Sequence, residues 1–200
     1  MATVSARTIR GAARKQLPAH IEPQLATLRT SSPGGIHWIH EIKFDSYRMA
    51  CRIERGKVSI ISRRNLDWTQ RFPDLARDLA ELPVKSAWLD GEIVSLRSDG
   101  ISDFEALQSS FRNRRTGQLT YAVFDLLYLD GYDLRDCPLI DRKQLLGTLL
   151  RKPPARVQYV EHIEGRGVEF FEHCCRMELE GAICKRADRG HRPGRSGDWI

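Results

Sequence analysis

Glu41-Ile42-Lys43-Phe44-Asp45-Ser46-Tyr47-Arg48 is the stretch around which the rest of the chain is organised. Its residues alternate. On a strand, Ile42 and Phe44 point to one face, and Glu41, Lys43 and Asp45 to the other. The apolar pair anchors in a core, which gathers the acids and the lysine on the opposite face. Asp45-Ser46 reads as a turn, and Tyr47 to Ile53 as the next strand, which returns Arg48 to the same place. Taken alone, the stretch is either a salt-bridged surface strand or a phosphate-handling site. The remaining sequence has to choose.

The chain has 200 residues, 41% of them hydrophobic and 29% charged, which suits one domain, or one domain plus a short appendage, with a substantial core. The net charge of +6 favours polyanionic partners without identifying nucleic acid. Cys51, Cys137, Cys174, Cys175 and Cys184 are odd in number and irregular in spacing, so reduced thiols are expected rather than a disulfide framework. No apolar run reaches the length of a membrane span, so no membrane role is expected. Residues 1–20 carry Arg7, Arg10, Arg14 and Lys15 with no acid before Glu22. They read as a flexible basic arm, with a transit peptide or a phosphate-backbone contact as open alternatives.

Trp38 to Phe44 is the first expected strand, and Tyr47–Arg55 and Lys57–Ser62 form a hairpin closed at Arg55-Gly56. Phe72-Pro73-Asp74 opens a helix whose Leu75, Ala76, Leu79 and Leu82 recur at helical spacing. Ala87 to Leu96 is a strand. Ser102 with Glu105 is a capping box for a short helix, and the strongly apolar Leu119 to Leu129 is a strand buried on both faces. An amphipathic helix spans Leu139 to Leu150 and a strand Val157 to Val160. A helix from Gly167 to Met177 turns Val168, Phe171, Cys175 and Leu179 inward, and Gly181 to Lys185 is a last strand. The glycine- and arginine-rich Ala187–Asp198 reads as a mobile tail, and the stop at Trp199-Ile200 as a truncation. Strands and helices intermix without a βαβ rhythm, so the expected class is α+β with mainly antiparallel sheets flanked by helices.

No P-loop or G-x-G-x-x-G turn is present, so a nucleotide would bind without either. Acids inside apolar strands are costly unless paired, so Glu92 and Asp125 are expected to face a polar site or a buried ion pair. A lysine at the centre of such a site is an ion-pair partner, a phosphate anchor or a nucleophile. Cys174-Cys175 beside His173 lack zinc spacing and read as core cysteines. Arg112-Asn113-Arg114-Arg115 is either a solvated loop or a phosphate grip.

Lys43-Phe44-Asp45-Ser46-Tyr47-Arg48 resembles the K-x-D-G-x-R element of the covalent nucleotidyltransferases: DNA ligases, RNA ligases and capping enzymes. Ser62-Arg63, Leu89-Asp90-Gly91-Glu92, Ala122-Val123-Phe124-Asp125 and Glu180-Gly181-Ala182-Ile183-Cys184-Lys185 follow in that family's order. His40 to Asp45, Asp67-Trp68-Thr69, Arg71-Phe72-Pro73 and Phe124 to Gly131 are similar to the ATP-dependent ligase domain of bacterial DNA ligase D. The resemblance covers residues 17–200. It implies an ATP-grasp-like nucleotidyltransferase core over 21–200, incomplete at its C-terminus, without the oligonucleotide-binding domain that follows in the family.

The implied chemistry is attack of Lys43 on the α-phosphorus of ATP, forming a lysyl–AMP that passes to a 5′-phosphate at a DNA break, after which the strand is sealed. The resemblance implies that Glu41 sits by the adenosine and that Arg48 and Arg63 hold ribose and phosphates. It has Phe124 stack on adenine, Glu92 bind a ribose hydroxyl or metal, and Lys185 stabilise α-phosphate charge. Glu180, Glu92 and Asp45 are the implied Mg²⁺ or Mn²⁺ ligands. Nicked or broken duplex DNA and a Ku-like end-binding protein are the implied partners, in a bacterial cytoplasm at the nucleoid. Alternatives are an RNA ligase, a capping-type enzyme, or a non-catalytic ATP- or DNA-binding remnant.

Two departures bear on activity. Ser46 stands where the family has glycine, which costs about 1 kcal/mol if that position needs a positive φ. Asn65 likewise replaces a glycine, and asparagine tolerates the left-handed region. With Ser46 and the expected truncation, the resemblance implies a chain that binds ATP but adenylylates itself slowly or not at all when alone.

Overall fold

The computed structural model describes residues 5–200. In chain order the elements are β1 (Ala13–Arg14), β2 (Gln24–Leu25), β3 (Trp38–Ile42), β4 (Tyr47–Glu54), β5 (Lys57–Ser62), α1 (Pro73–Ala80), β6 (Ser86–Val94) and α2 (Phe104–Arg112). They continue with β7 (Thr120–Leu129), β8 (Tyr132–Asp133), α3 (Leu139–Leu149), β9 (Val157–Tyr159), β10 (Ile163–Glu164), α4 (Gly167–Arg176), β11 (Ala182–Arg186) and β12 (Gly194–Arg195). The α+β expectation holds. A large sheet runs β1-β8-β7-β6-β4-β5, with β9 pairing in parallel to β7. A second sheet runs β10-β3-β11 and is antiparallel throughout.

The large sheet is built from hairpins, and sequence dictates the first. Arg55 (φ 50°) and Gly56 (φ 79°) both take positive φ, the twist-matched geometry of a two-residue turn, and pair β4 with β5 in register from Met49↔Ser62 to Glu54↔Lys57. β6 and β7 lie at the centre of the sheet, and Leu89, Ile93, Val123 and Leu126 are fully buried. Phe72, Leu75 and Leu79 bring α1 onto the same core. The proline expected in the first helical turn is Pro73, with Asp74 behind it.

Four local expectations are corrected. First, the segment read as a free basic arm is docked from Ser5 onward, Met1–Val4 lying outside the described residues. Ala6 is buried, β1 pairs with β8, and Tyr128 donates to the Lys15 carbonyl at 2.9 Å. Second, the expected mobile tail is tied in. β12 pairs with β2, the Arg186 amide donates to Asp198 O at 2.8 Å, and Ile200 and Cys184 exchange backbone hydrogen bonds at 2.9 and 2.7 Å. Glycines there gave no apolar pattern, but backbone pairing does not need one. Third, α4 turns Gly167 and Cys174 inward and leaves Val168 (54% exposed), Phe171 and Cys175 outward. A side chain at position 167 would lie 2.4 Å from His40 Cε1 and 2.5 Å from the Pro33 carbonyl, so the helix seats on its smallest residue rather than on its most apolar face. Fourth, α2 is capped by Asp103, which accepts from the Ala106 amide at 2.8 Å, not by Ser102.

The N-terminal segment is held by a titrating contact. Asp133 is nearly inaccessible and accepts from Arg135 (2.6 and 2.9 Å) and Lys15 (3.2 Å). Burial alone would raise its carboxyl, but the hydrogen bonds from Arg135 and Lys15 bring it down to about 2. A depressed folded-state carboxyl contributes stability above its unfolded value of about 4, and that stability is lost as pH falls toward 2. Lys15 is 50% and Arg135 35% exposed, so solvent screening leaves roughly 1 kcal/mol of the contribution. Asp133→Asn is therefore expected to cost about that much in urea unfolding at pH 7. The gap to the parent chain should close as the pH is lowered through the same range.

Candidate active site

A cavity of about 630 Å³ opens where β3 and β11 of the small sheet meet β4, β6 and β7 of the large one. Glu41, Lys43, Asp45, Arg48, Arg63, Glu92, Phe124, Glu180 and Lys185 all line it. Residues up to 144 positions apart in sequence thus reach one place, as the 2.6 Å contact of Lys143 with Glu41 and the further ion pair of Lys185 with Glu41 illustrate.

β3 ends at Ile42, two residues short of the expected Trp38–Phe44, so Lys43 sits just beyond the strand, and Ile42 is exposed while Glu41 is buried, the reverse of the faces expected from alternation. Its amide donates to Gly181 O at 3.0 Å. Gly181 takes φ 149°, a conformation that a side chain would strain, and this lets the Glu180-Gly181 backbone run beside the lysine. The Lys43 ammonium forms an ion pair with the Glu180 carboxylate, both side chains being partly exposed. The Asp45 amide donates to Ser102 Oγ at 3.3 Å, which pins the turn to the start of α2. Ser46 is not among the residues with positive φ, so serine carries no left-handed strain there. Asn65, by contrast, does sit at φ 60°, and the turn it makes after β5 places Arg63 on the cavity wall.

Arg48, on β4, makes a two-pronged contact with Asp90 on β6, at 2.7 and 2.8 Å. Burial would lower the guanidinium's proton affinity, but Asp90 more than offsets this and raises it. Glu92 lies opposite Arg48 in the β4–β6 register and lines the cavity. Burial pushes its carboxyl up, with Arg48 opposing the shift. Between the two acids, Gly91 is required by packing. A Cβ there would fall 2.6 Å from the Ala122 carbonyl and 2.7 Å from the Tyr121 ring, at a register irregularity between Asp90 and Gly91.

Glu41 is 2% exposed, and both its oxygens are taken. Lys143, from α3, donates to Oε1 at 2.6 Å, and Lys185, from β11, contacts Oε2. Burial acts to raise the Glu41 carboxyl, but the two lysines together outweigh it and hold it below the usual carboxylate range. Burial depresses the Lys185 ammonium, with Glu41 opposing. Lys185 Nζ lies 4.0 Å from the centre of the Phe124 ring and 4.3 Å from that of Trp199. Arg48 approaches the same Phe124 ring at 4.4 Å. Phe124 and Trp199 meet edge to face at 5.9 Å.

The sequence did not single out Lys143, Asp90 or Trp199 for this site. Lys143 follows Arg142 on a helix that reads as amphipathic, where a Lys-Arg pair normally marks the solvent face, yet both are buried. Arg142 pairs with Asp125 at 2.8 Å through two nitrogens, which is the buried ion pair expected for that acid. A signal for Asp90 did exist, because it is a second acid in an apolar strand. The implied metal residues Asp45, Glu92 and Glu180 all line the cavity. Among the described residues no three His, Cys, Asp or Glu side chains converge as a metal site. Asp45, Glu92 and Glu180 sit on three different segments, and Glu180 is engaged by Lys43. Dispersed carboxylates of this kind suit the expected Mg²⁺, which takes one or two carboxylates and completes its shell with phosphate oxygens and water.

The model of the ATP dependent DNA ligase domain family matches residues 20–200. The chain is 39% identical over 198 residues to the multifunctional non-homologous end joining protein LigD of Pseudomonas aeruginosa, covering 98% of this chain and 23% of that protein. It is 32% identical to the SPbeta prophage-derived DNA ligase-like protein LigB of Bacillus subtilis, covering 82% of this chain and 60% of that one. Among solved structures, mycobacterial DNA ligase D complexed with ATP and MES superposes with a TM-score of 0.75 at 34% identity, over 89% of this chain and 58% of that one. Chlorella virus DNA ligase-adenylate, at 19% identity and a TM-score of 0.61, shares the fold.

The Arg48–Asp90 pair supplies a stability test. Asp90→Asn leaves a largely buried guanidinium short of its counter-charge and is expected to cost on the order of 3 kcal/mol. Adding Arg48→Met should recover most of that loss, because removing both charges also removes their desolvation cost. Urea unfolding of the parent, the single and the double variant checks both parts.

Proposed function

Because the chain belongs to the ATP-dependent DNA ligase family, we propose that it is the adenylation core of a strand-joining enzyme, with Lys43 as the nucleophile that accepts AMP from ATP. One observation carries this reading. Lys43 reaches a single cavity together with the aromatic ring, cations and acids that a nucleoside triphosphate would need.

Adenine would lie against Phe124, and Arg48 and Arg63 would bind ribose and phosphate oxygens as charged donors. Lys185 would face the α-phosphate, where a fixed cation offsets developing charge. A lysine attacks as the neutral amine, so its proton must leave first. Glu180, already paired with the Lys43 ammonium, is the acceptor we assign to that proton. The N–P bond then forms between Lys43 Nζ and the α-phosphorus as the P–O bond to pyrophosphate breaks. A divalent ion, held by Glu92 with phosphate oxygens while Glu180 takes the lysine's proton, would supply charge neutralisation on the triphosphate.

The acceptor of the AMP is, in this reading, the 5′-phosphate of nicked or broken duplex DNA, and a neighbouring 3′-hydroxyl then displaces AMP. The net charge of +6 suits that polyanion. Relatives that cover 98% and 90% of this chain carry end joining in their names, which supports a role at DNA ends, and we propose that this role is exercised beside a Ku-like protein in a bacterial nucleoid. No helix among the described residues is long and apolar enough to cross a membrane.

Incubation with Mg²⁺ and ATP labelled at the α-phosphate tests the assignment. The expected result is slow accumulation of a covalent, acid-labile adenylate on the chain, in keeping with the weak self-adenylylation expected above, competed by unlabelled ATP and not by GTP. Lys43→Ala should abolish it, and Lys43→Arg should not restore it, because a guanidinium keeps its proton. Label persisting in Lys43→Ala would overturn the assignment of the nucleophile.

A further inference from the structure

Lys143 is fully buried and does not line the cavity, yet it is built into its wall. Its ammonium donates to Glu41 at 2.6 Å, to the Val160 carbonyl at 3.0 Å and to the Phe124 carbonyl at 3.4 Å, which occupies all three of its protons inside the protein. Its remaining approach is to the Tyr159 ring, at 4.8 Å. Lys185 is differently placed. It touches the other oxygen of Glu41, lies over two aromatic faces and lines the cavity. The buried group Lys143–Glu41–Lys185 thus holds two positive charges against one negative. Arg48 beside it answers two acids, its hydrogen-bonded partner Asp90 and Glu92 opposite it in the β4–β6 register. Glu92 feels Arg48 more strongly than Lys185. Lys143 is sealed off by its carbonyl partners, so the surplus charge is presented through Lys185.

We propose that Lys143 is a positioning residue for the phosphate end of the site: by occupying one oxygen of Glu41 it keeps that carboxylate from neutralising Lys185, and leaves Lys185 for an anion in the cavity. The inference rests on the nucleotide-site reading above and adds a residue that touches neither nucleotide nor metal. Were Lys143 uncharged, Glu41 and Lys185 would form a closed neutral pair. The lysine would then have to break a full ion pair to meet a phosphate, and the wall would carry one positive charge fewer.

AMP and adenosine differ by the phosphate alone and cannot adenylylate the protein, so their affinities isolate the effect. Binding of each to the 200-residue chain is measured by calorimetry for the parent, Lys143→Met and Lys143→Gln, with thermal melting of each. The glutamine keeps a hydrogen-bond donor toward Glu41 without the charge, and it decides the matter if the methionine variant does not fold. Both variants are expected to weaken AMP binding at least tenfold and to leave adenosine within about twofold, a ratio that a merely structural role for Lys143 would not move. An equal loss for both ligands, or unchanged AMP affinity in a folded variant, overturns the role of Lys143 while leaving the nucleotide site standing. Failure of the parent chain to bind either ligand overturns both.

Discussion

One buried carboxylate ties the two sheets together. Glu41 belongs to β3 of the small sheet, and its partners arrive from opposite directions: Lys185 from β11 beside it, and Lys143 from α3, which packs on β7 of the large sheet. The inner lysine also donates to the carbonyls of Phe124 and Val160, so a single ion cluster fixes the spacing between the sheets and therefore the width of the cavity. Burying three charges is tolerable only because each has partners; a carboxylate or ammonium alone in that position would cost several kcal/mol. The Glu41 carboxyl stays low despite complete burial because two cations outweigh the desolvation.

The same logic repeats around Phe124. Two cations, Arg48 and Lys185, stand over one ring at 4.4 and 4.0 Å. Like charges brought that close would repel in a poorly solvated wall. Arg48 therefore carries an acid of its own, Asp90, while Lys185 shares Glu41 with Lys143. The cavity wall is thus a row of ion pairs whose positive ends meet at an aromatic surface, a polarity suited to an aromatic base followed by phosphates. Gly91 and Gly181 allow the backbones to come close enough, the first by the absence of a side chain between β6 and β7, the second by its backbone angle.

Much of this was legible in the sequence because it is written in local periods. The Arg55-Gly56 turn between β-branched runs marked β4 and β5, the apolar run marked β7, and a proline followed by an acid marked the start of α1; β3 lies where it was expected, but Glu41 is buried and Ile42 exposed, against the expected alternation. The nine residues that line the cavity and carry proposed roles were picked out for another reason: a motif order that resembles a known family. What was not legible depends on contacts between distant segments. Lys143 looks like any lysine on a helix until Glu41 is placed behind it. The tail from 187 onward has no hydrophobic period, and its order comes from backbone pairing with β2 and β11. The face of α4 was misassigned because hydrophobicity chose Val168 and Phe171, whereas close approach of His40 and Pro33 admits only glycine at 167. The concern over Ser46 disappears once its backbone is seen to avoid positive φ, while the same concern at Asn65 was justified.

The two lysines of the cavity show how placement divides labour between identical side chains. Lys43 stands beyond the end of its strand, partly in water, paired with a carboxylate that is itself partly exposed. A residue there can exchange a proton and swing toward a reacting phosphorus, and in the proposed reaction it does both. Lys185 is buried and stacked on two rings, with its carboxylate shared with a second lysine. It gains nothing from mobility, because a fixed cation stabilises developing charge best when no reorganisation is needed at the moment of reaction. The proposed nucleophile is therefore placed where solvent reaches and its proposed electrostatic partner where it does not, and both follow from β3 stopping at Ile42 while β11 runs on past Lys185 to Arg186.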